Sequence, residues 1–176
     1  MGKRVIESER LSLHELSAED SNDAAFIFRL LNEPSFLKNI GDRGVRSLED
    51  AYGYLRLGPM ASYFANGFGL YRMQVKASGE TVGMCGLVKR AKLQDVDLGY
   101  ALLPEFWGHG SAVEAAAAVL LDARARLQMG RIVAITDPRN AASVRVLEKR
   151  GFRYEKMVQL APDAIELKLF ASTAAG

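Results

Sequence analysis

The sequence has little cysteine, little histidine and no long apolar run, and each shortage removes a class of function. Its 176 residues include one cysteine, Cys85, so no internal disulfide is available. A reducing compartment, the cytoplasm by default, is the expected home. The two histidines, His14 and His109, lie far from each other and from Cys85, a spacing that supports no metal site. No segment approaches the ~20 apolar residues of a membrane span, and the opening MGKRVIESERL holds no signal-peptide core. Charge of one sign is also missing. The 23 basic and 21 acidic residues leave a net +2, too small to argue for a nucleic-acid or membrane-surface partner. There is no internal repeat, low-complexity tract or Pro/Ser-rich linker, so residues 1–176 read as one domain. The small-residue tail from Ser172 to Gly176 is expected to fray.

What is present is the composition of an ordinary globular enzyme, 49% hydrophobic and 25% charged. Arg4 to Leu16 alternates as a strand. Glu19 to Asn32 places Ala24, Phe26, Ile27, Leu30 and Leu31 at helical spacing and stops before Pro34. Ser47-Leu-Glu-Asp50 has the form of a capping box, opening a helix that should end or kink near Gly58-Pro59, with a short helix following to Asn66-Gly67. Phe68 to Lys76, Thr81 to Lys89 and Val96 to Leu103 read as an antiparallel meander. The period then changes. Ser111 to Gln128 is a strongly amphipathic helix, Arg131 to Thr136 a β-branched strand, and Asn140 to Arg150 a helix with Asn140 as N-cap and Gly151 as its stop. Phe152 to Lys156 and Ala164 to Phe170 complete the strands. The strand–helix–strand run from Val96 to Thr136 implies a parallel pair with a right-handed crossover.

The segment Gly108-His-Gly-Ser-Ala112 joins a strand to the long helix. Glycines there let the backbone close on an anion, and the first-turn N–H groups and the macrodipole favour one. A tight turn with nothing bound fits the same residues. The loop lacks the Gly-Lys-Ser/Thr ending of a nucleotide-triphosphate loop and the third glycine of a dinucleotide fold.

The stretch from about Asp97 to Phe152 resembles the GNAT acetyltransferase superfamily, in its branch of ribosomal-protein N-terminal acetyltransferases (the RimJ/RimL type). Two blocks carry the resemblance: Trp107-Gly-His-Gly110-Ser-Ala112, and Asp137-Pro-Arg-Asn140-Ala-Ala-Ser143-Val-Arg-Val-Leu-Glu-Lys149-Arg-Gly151-Phe152. The opening Glu9-Arg-Leu-Ser-Leu13 is similar to the family's first strand. Trp107 stands where the superfamily signature has Gln or Arg. The resemblance implies an α/β (α+β) fold: a central mixed, mostly antiparallel sheet of about seven strands, with a splayed parallel pair and flanking helices. It implies acetyl-CoA as co-substrate and no metal. Backbone groups of Ala101, Leu102 and Leu103 would meet the pantetheine arm. Gly108, His109, Gly110, Ser111, Ala112 and Val113 would wrap the pyrophosphate, with Asn140 and Ser143 near the thioester.

The implied activity is transfer of an acetyl group to a primary amine of a protein N-terminus or a small molecule, by direct attack in a ternary complex. The alternative is a catalytically weak or inactive acyl-CoA-binding module of the same fold. Leu147 argues for it, standing where many superfamily members have a tyrosine. Acetyl transfer needs a neutral amine and a protonated leaving thiolate. Asp97 is the candidate base, through a water relay, and reads also as a strand carboxylate paired with a base such as Lys92. Ser143 is the candidate acid, and reads also as a residue that satisfies the helix start. The His109 ring is given no catalytic part, His14 is structural, and Cys85 is a small buried hydrophobe. Among Arg124, Arg126, Arg131, Arg139, Arg145 and Lys149, one or two would meet the cofactor's 3′-phosphate. Phe106 and Trp107 line the cofactor entrance or pack as a lid. The acceptor groove falls to the segment between Glu33 and Phe68, its occupant is an amine-bearing peptide or small molecule, and a homodimer is left open.

Overall fold

The computed structural model describes residues 2–172. Its strands are Arg4–Glu7 (β1), Leu11–Glu15 (β2), Leu70–Val75 (β3), Thr81–Val88 (β4), Asp97–Leu102 (β5), Ile132–Thr136 (β6), Arg153–Val158 (β7) and Leu167–Ser172 (β8). They form one sheet in the order β1-β2-β3-β4-β5-β6-β8-β7, antiparallel at every junction except β5–β6. Helices Ser21–Leu31 (α1), Pro34–Asn39 (α2), Leu48–Leu55 (α3) and Ala61–Asn66 (α4) precede β3. Ser111–Ala125 (α5) and Ala141–Lys149 (α6) lie on either side of β6 in sequence. The meander and the crossover through α5 are as the sequence implies.

Side chains alternate across the sheet, so it has two apolar faces. Tyr71, Cys85, Leu87 and Leu98 share a core with Ala115, Ala116, Val119 and Ala123 of α5 and Leu147 of α6. The alanines let α5 lie close on the sheet. Met84, Ala101 and Leu103 point the other way, into a second core with Ile27, Leu30 and Leu31 of α1 and Ala51 and Leu55 of α3.

Two expectations, the single first strand and the fraying from Ser172, need correction, and two others gain detail. Arg4 to Leu16 is a hairpin rather than one strand, which makes eight strands instead of about seven. Pro34 does not only end α1. It opens α2 at the first helical turn, where its missing N–H costs nothing. Near Gly58-Pro59 the regular helix is interrupted as expected: a π-turn, Arg56–Met60, carries α3 into the short α4, which stops at Asn66 with Gly67 as its cap, and the turn accommodates Pro59, which has no N–H to donate. Ser172 is buried at the end of β8, so the expected fraying does not begin there. Residues 173–176 lie outside the described residues.

Candidate active site

A slit in the sheet organises the site. β5 and β6 share one rung: Asp97 lies opposite Val133, whose N–H donates to the Val96 carbonyl at 2.9 Å. Val96 therefore faces β6, whereas the Leu103 N–H donates to the Val82 carbonyl on the β4 side, also at 2.9 Å. The β4–β5 register has no bulge. Peptide groups alternate along a strand, so Asp97, Gly99, Ala101 and Leu103 bond to β4, while Leu98, Tyr100 and Leu102 face β6. Beyond the single rung β6 offers these groups no partner. This narrows the expected trio of Ala101, Leu102 and Leu103. Leu103 is buried, its N–H committed to β4 and its carbonyl to the Phe106 N–H, Ala101 lines the groove but also bonds to β4, and only Leu102 faces the slit. Tyr100, which the sequence reading passed over, joins it. The Leu102 carbonyl accepts from the Trp107 indole N–H at 3.0 Å, which leaves its N–H for a ligand.

The slit continues into a groove of about 420 Å3 along the head of α5, lined by Gly108, Gly110, Ser111, Ala112 and Val113. Gly108 and Gly110 have φ of +80° and +75°, the left-handed region that a side chain would strain. No side chain caps α5, so its first N–H groups are free to meet an anion. His109 is apart from the others. It does not line the groove, its carbonyl accepts from Arg10 Nη1 at 2.9 Å, and its ring lies 3.3 Å from the Phe106 carbonyl. The loop is anchored from outside. Glu114, in the first turn of α5, accepts from Ser8 Oγ at 2.6 Å and from the Arg10 backbone N–H and Nε at 2.8 and 2.6 Å. Burial alone would raise its carboxyl, but these bonds hold it below the usual value. Of the basic neighbourhood, Arg126 is bound to Asp122, Arg131 to Asp95 and Glu155, and Arg139 to Asp137. Arg124 donates to Ser172. Arg145 and Lys149 line the groove.

At the inner end of the groove, α6 begins. The Asn140 side chain accepts from the Ser143 N–H at 3.1 Å and caps the helix, as expected. The Ser143 hydroxyl has a different task from the helix start. It lies 2.8 Å from the Tyr100 hydroxyl, which also donates to the Ser143 carbonyl at 3.1 Å. Burial pushes the Tyr100 phenol up to about 12, so it remains protonated and available as a donor. Leu147 is buried in the core and brings no polar group here.

Asp97 stands on the opposite face of β5 from Tyr100, at the floor of a second cavity of about 530 Å3. Only 1% of it is exposed. Its partner is Arg90, two residues before the anticipated Lys92, with Nε 2.7 Å from Oδ2. Oδ1 has no hydrogen-bond partner. Burial drives the carboxyl up to about 6, against Arg90 and, more weakly, the Ile135 N–H. The two cavities meet at Tyr100, Asn140 and Ser143, which line both. Elsewhere His14 is buried between Ser12 Oγ and the Gly2 carbonyl, and burial raises the Cys85 thiol to about 12, far from a nucleophile's range. Among the described residues no cluster of three metal-ligating side chains occurs. No helix among them is long and apolar enough to cross a membrane.

A parallel pair opened at one end, with a glycine loop at the head of its crossover helix, is the arrangement that the sequence resemblance implies for an acetyltransferase. Residues 10–153 match the acetyltransferase (GNAT) domain family, and the chain belongs to that family. Among curated relatives, YkkB of Bacillus subtilis is 39% identical over 95 residues, 53% of this chain and 55% of that protein. The uncharacterised N-acetyltransferase YoaA of the same organism is 27% identical over 88% of this chain and 86% of its own. Among solved structures, RimL, a ribosomal L7/L12 α-N-protein acetyltransferase in complex with coenzyme A, superposes with a TM-score of 0.79 over 97% of this chain and 98% of RimL, at 18% identity.

Proposed function

We propose that the chain, as one domain, transfers an acetyl group from acetyl-CoA to a primary amine by direct attack within a ternary complex. The slit carries this reading: the Tyr100 peptide groups and the Leu102 N–H face it without a β6 partner, beside a glycine loop that exposes the N-terminus of α5. An extended amide-bearing arm completes the interrupted ladder, and a diphosphate suits the loop. Arg145 and Lys149 are placed for a further phosphate.

The amine enters from the Asp97 face. It attacks the thioester carbonyl, the C–S bond breaks, and the products are an amide and a thiol. Asp97 receives the amine proton through water, because its carboxylate is buried too deeply for direct contact. Ser143 gives a proton to the departing sulfur, with Tyr100 holding the hydroxyl from across the slit. An acyl-CoA-binding module without turnover is the second reading, favoured by the apolar, buried Leu147. Thiol release decides between them. The transferase releases free thiol from acetyl-CoA only when an amine is added. A chain whose melting temperature rises with acetyl-CoA, but which releases no thiol with any amine, is the module.

A further inference from the structure

The cavity on the Asp97 side of β5 has a charge pattern that amine transfer does not require. Its body is apolar, walled by residues such as Leu70, Met84, Val88 and Leu160. Its charged lining is four cations, Lys38, Arg43, Arg90 and Arg139, against two carboxylates, Asp97 and Asp137. Both carboxylates are matched, Asp97 by Arg90 at 2.7 Å and Asp137 by Arg139 at 2.8 Å. That leaves Lys38 and Arg43. Neither has a hydrogen-bond or ion-pair partner among the described residues, and Lys38 reaches Asp137 only as a field. The acid next to Arg43 is no counter-charge, since Asp42 is held by Arg46 at 3.0 and 2.5 Å.

These two cations have a definite position. Lys38 sits in the last turn of α2 and Arg43 in the loop after it, both exposed at the mouth, whereas Asp97 is at the floor. A site for a polyamine or another polycation needs unmatched carboxylates. This one has unmatched cations, separated from the reacting end by an apolar wall.

Resting on the transferase reading, the geometry points to an acceptor that is an amine with an apolar body and an anionic group, carboxylate or phosphate, at the end remote from the amine. Lys38 and Arg43 receive the anion while the amine lies over Asp97. Exposed cations act on encounter as well as on binding, and their effect weakens with salt.

Matched pairs test this by thiol release from acetyl-CoA. One pair is phenethylamine and 4-(2-aminoethyl)benzoate, and the other is tyramine and tyramine O-phosphate. The anionic member of at least one pair is expected to have a kcat/KM tenfold or more above its neutral twin, mainly through KM, and the advantage should shrink as ionic strength rises. Whichever pair shows it identifies carboxylate or phosphate. The doubly reversed variant, Lys38→Glu with Arg43→Glu, should bring the ratio to one or below while acetyl-CoA still raises its melting temperature. Equal or better turnover of both neutral twins overturns the inference and leaves the transferase intact, as does an unchanged ratio in the reversed variant. No thiol release with any of the four amines overturns this inference, and the transferase reading falls with it only when peptide N-termini and polyamines release none either.

Discussion

Ser143 is held by two neighbours with different tasks. Asn140 satisfies its backbone N–H, so the hydroxyl is not needed at the helix start and turns to Tyr100 instead. This separates two outcomes that a bare sequence leaves entangled. Ser143→Ala should lower kcat by roughly 10- to 100-fold, the low end for general acids, because a thiolate with a conjugate pKa of about 8.5 is already a fair leaving group. Acetyl-CoA affinity should hardly change. A loss of melting temperature with kcat intact would assign the hydroxyl to architecture. Tyr100→Phe should lower kcat by a smaller factor, since the serine keeps its proton but loses its alignment. Ser143 was legible because it belongs to a dense block of matching residues. Tyr100 was not: a single tyrosine on a strand has no local pattern, and its value comes from facing a gap that forms only when β6 diverges. The signal available was the alternation itself, which sets Tyr100 and Leu102 on the same strand edge.

At the scale of the element, the head of α5 and the β1–β2 hairpin form one unit. The turn between those strands, Ser8-Glu-Arg10, has no Gly, Asn or Pro to mark it, so the sequence reads as one long strand. Ser8 closes the turn, its N–H donating to the Leu11 carbonyl at 2.9 Å, and Glu114 then ties Ser8 and Arg10 from 104 residues or more away along the chain. No local reading finds such a tie. By contrast β3, β4, α5 and α6 were legible, because their periods and caps are written within each segment. Gly110 tests the loop. A Cβ there meets only Arg10 Nη2, at 3.5 Å, so Gly110→Ala adds mainly backbone strain, about 1–2 kcal/mol. Gly110→Glu adds bulk and a negative charge to a loop that lines the groove. Acetyl-CoA at a hundredfold excess over Kd should stabilise the wild type by about 2.7 kcal/mol. The alanine variant should retain most of that shift and the glutamate variant none. A folded Gly110→Glu protein with the full shift would remove the loop from the binding site.

Asp97 affects the molecule as a whole, through the pH dependence of its stability. Below about pH 4 the carboxyl is protonated in both folded and unfolded chains and costs nothing. Between about 4 and 6 the unfolded chain gives up its proton first, so the folded state, with its carboxyl raised to about 6, is progressively disfavoured. Above that the penalty is complete, about 3 kcal/mol for a shift of roughly two units. Asp97→Asn removes it. Relative to wild type, the variant should therefore gain melting temperature as pH rises from 4 to 7 and level off beyond. His14 is common to both proteins, so it does not bend the difference. A difference that is flat with pH would mean that the carboxyl titrates normally. The single rung between β5 and β6 has a mechanical meaning at this scale too. The sheet is two leaves hinged near one end and underlaid by a continuous core. On the proposed reading, a thioester arm lying between them would act as a wedge with hydrogen bonds on its edge, the donor entering from the open end and the acceptor from one broad face. Two substrates can then reach the same few ångströms without competing for a doorway.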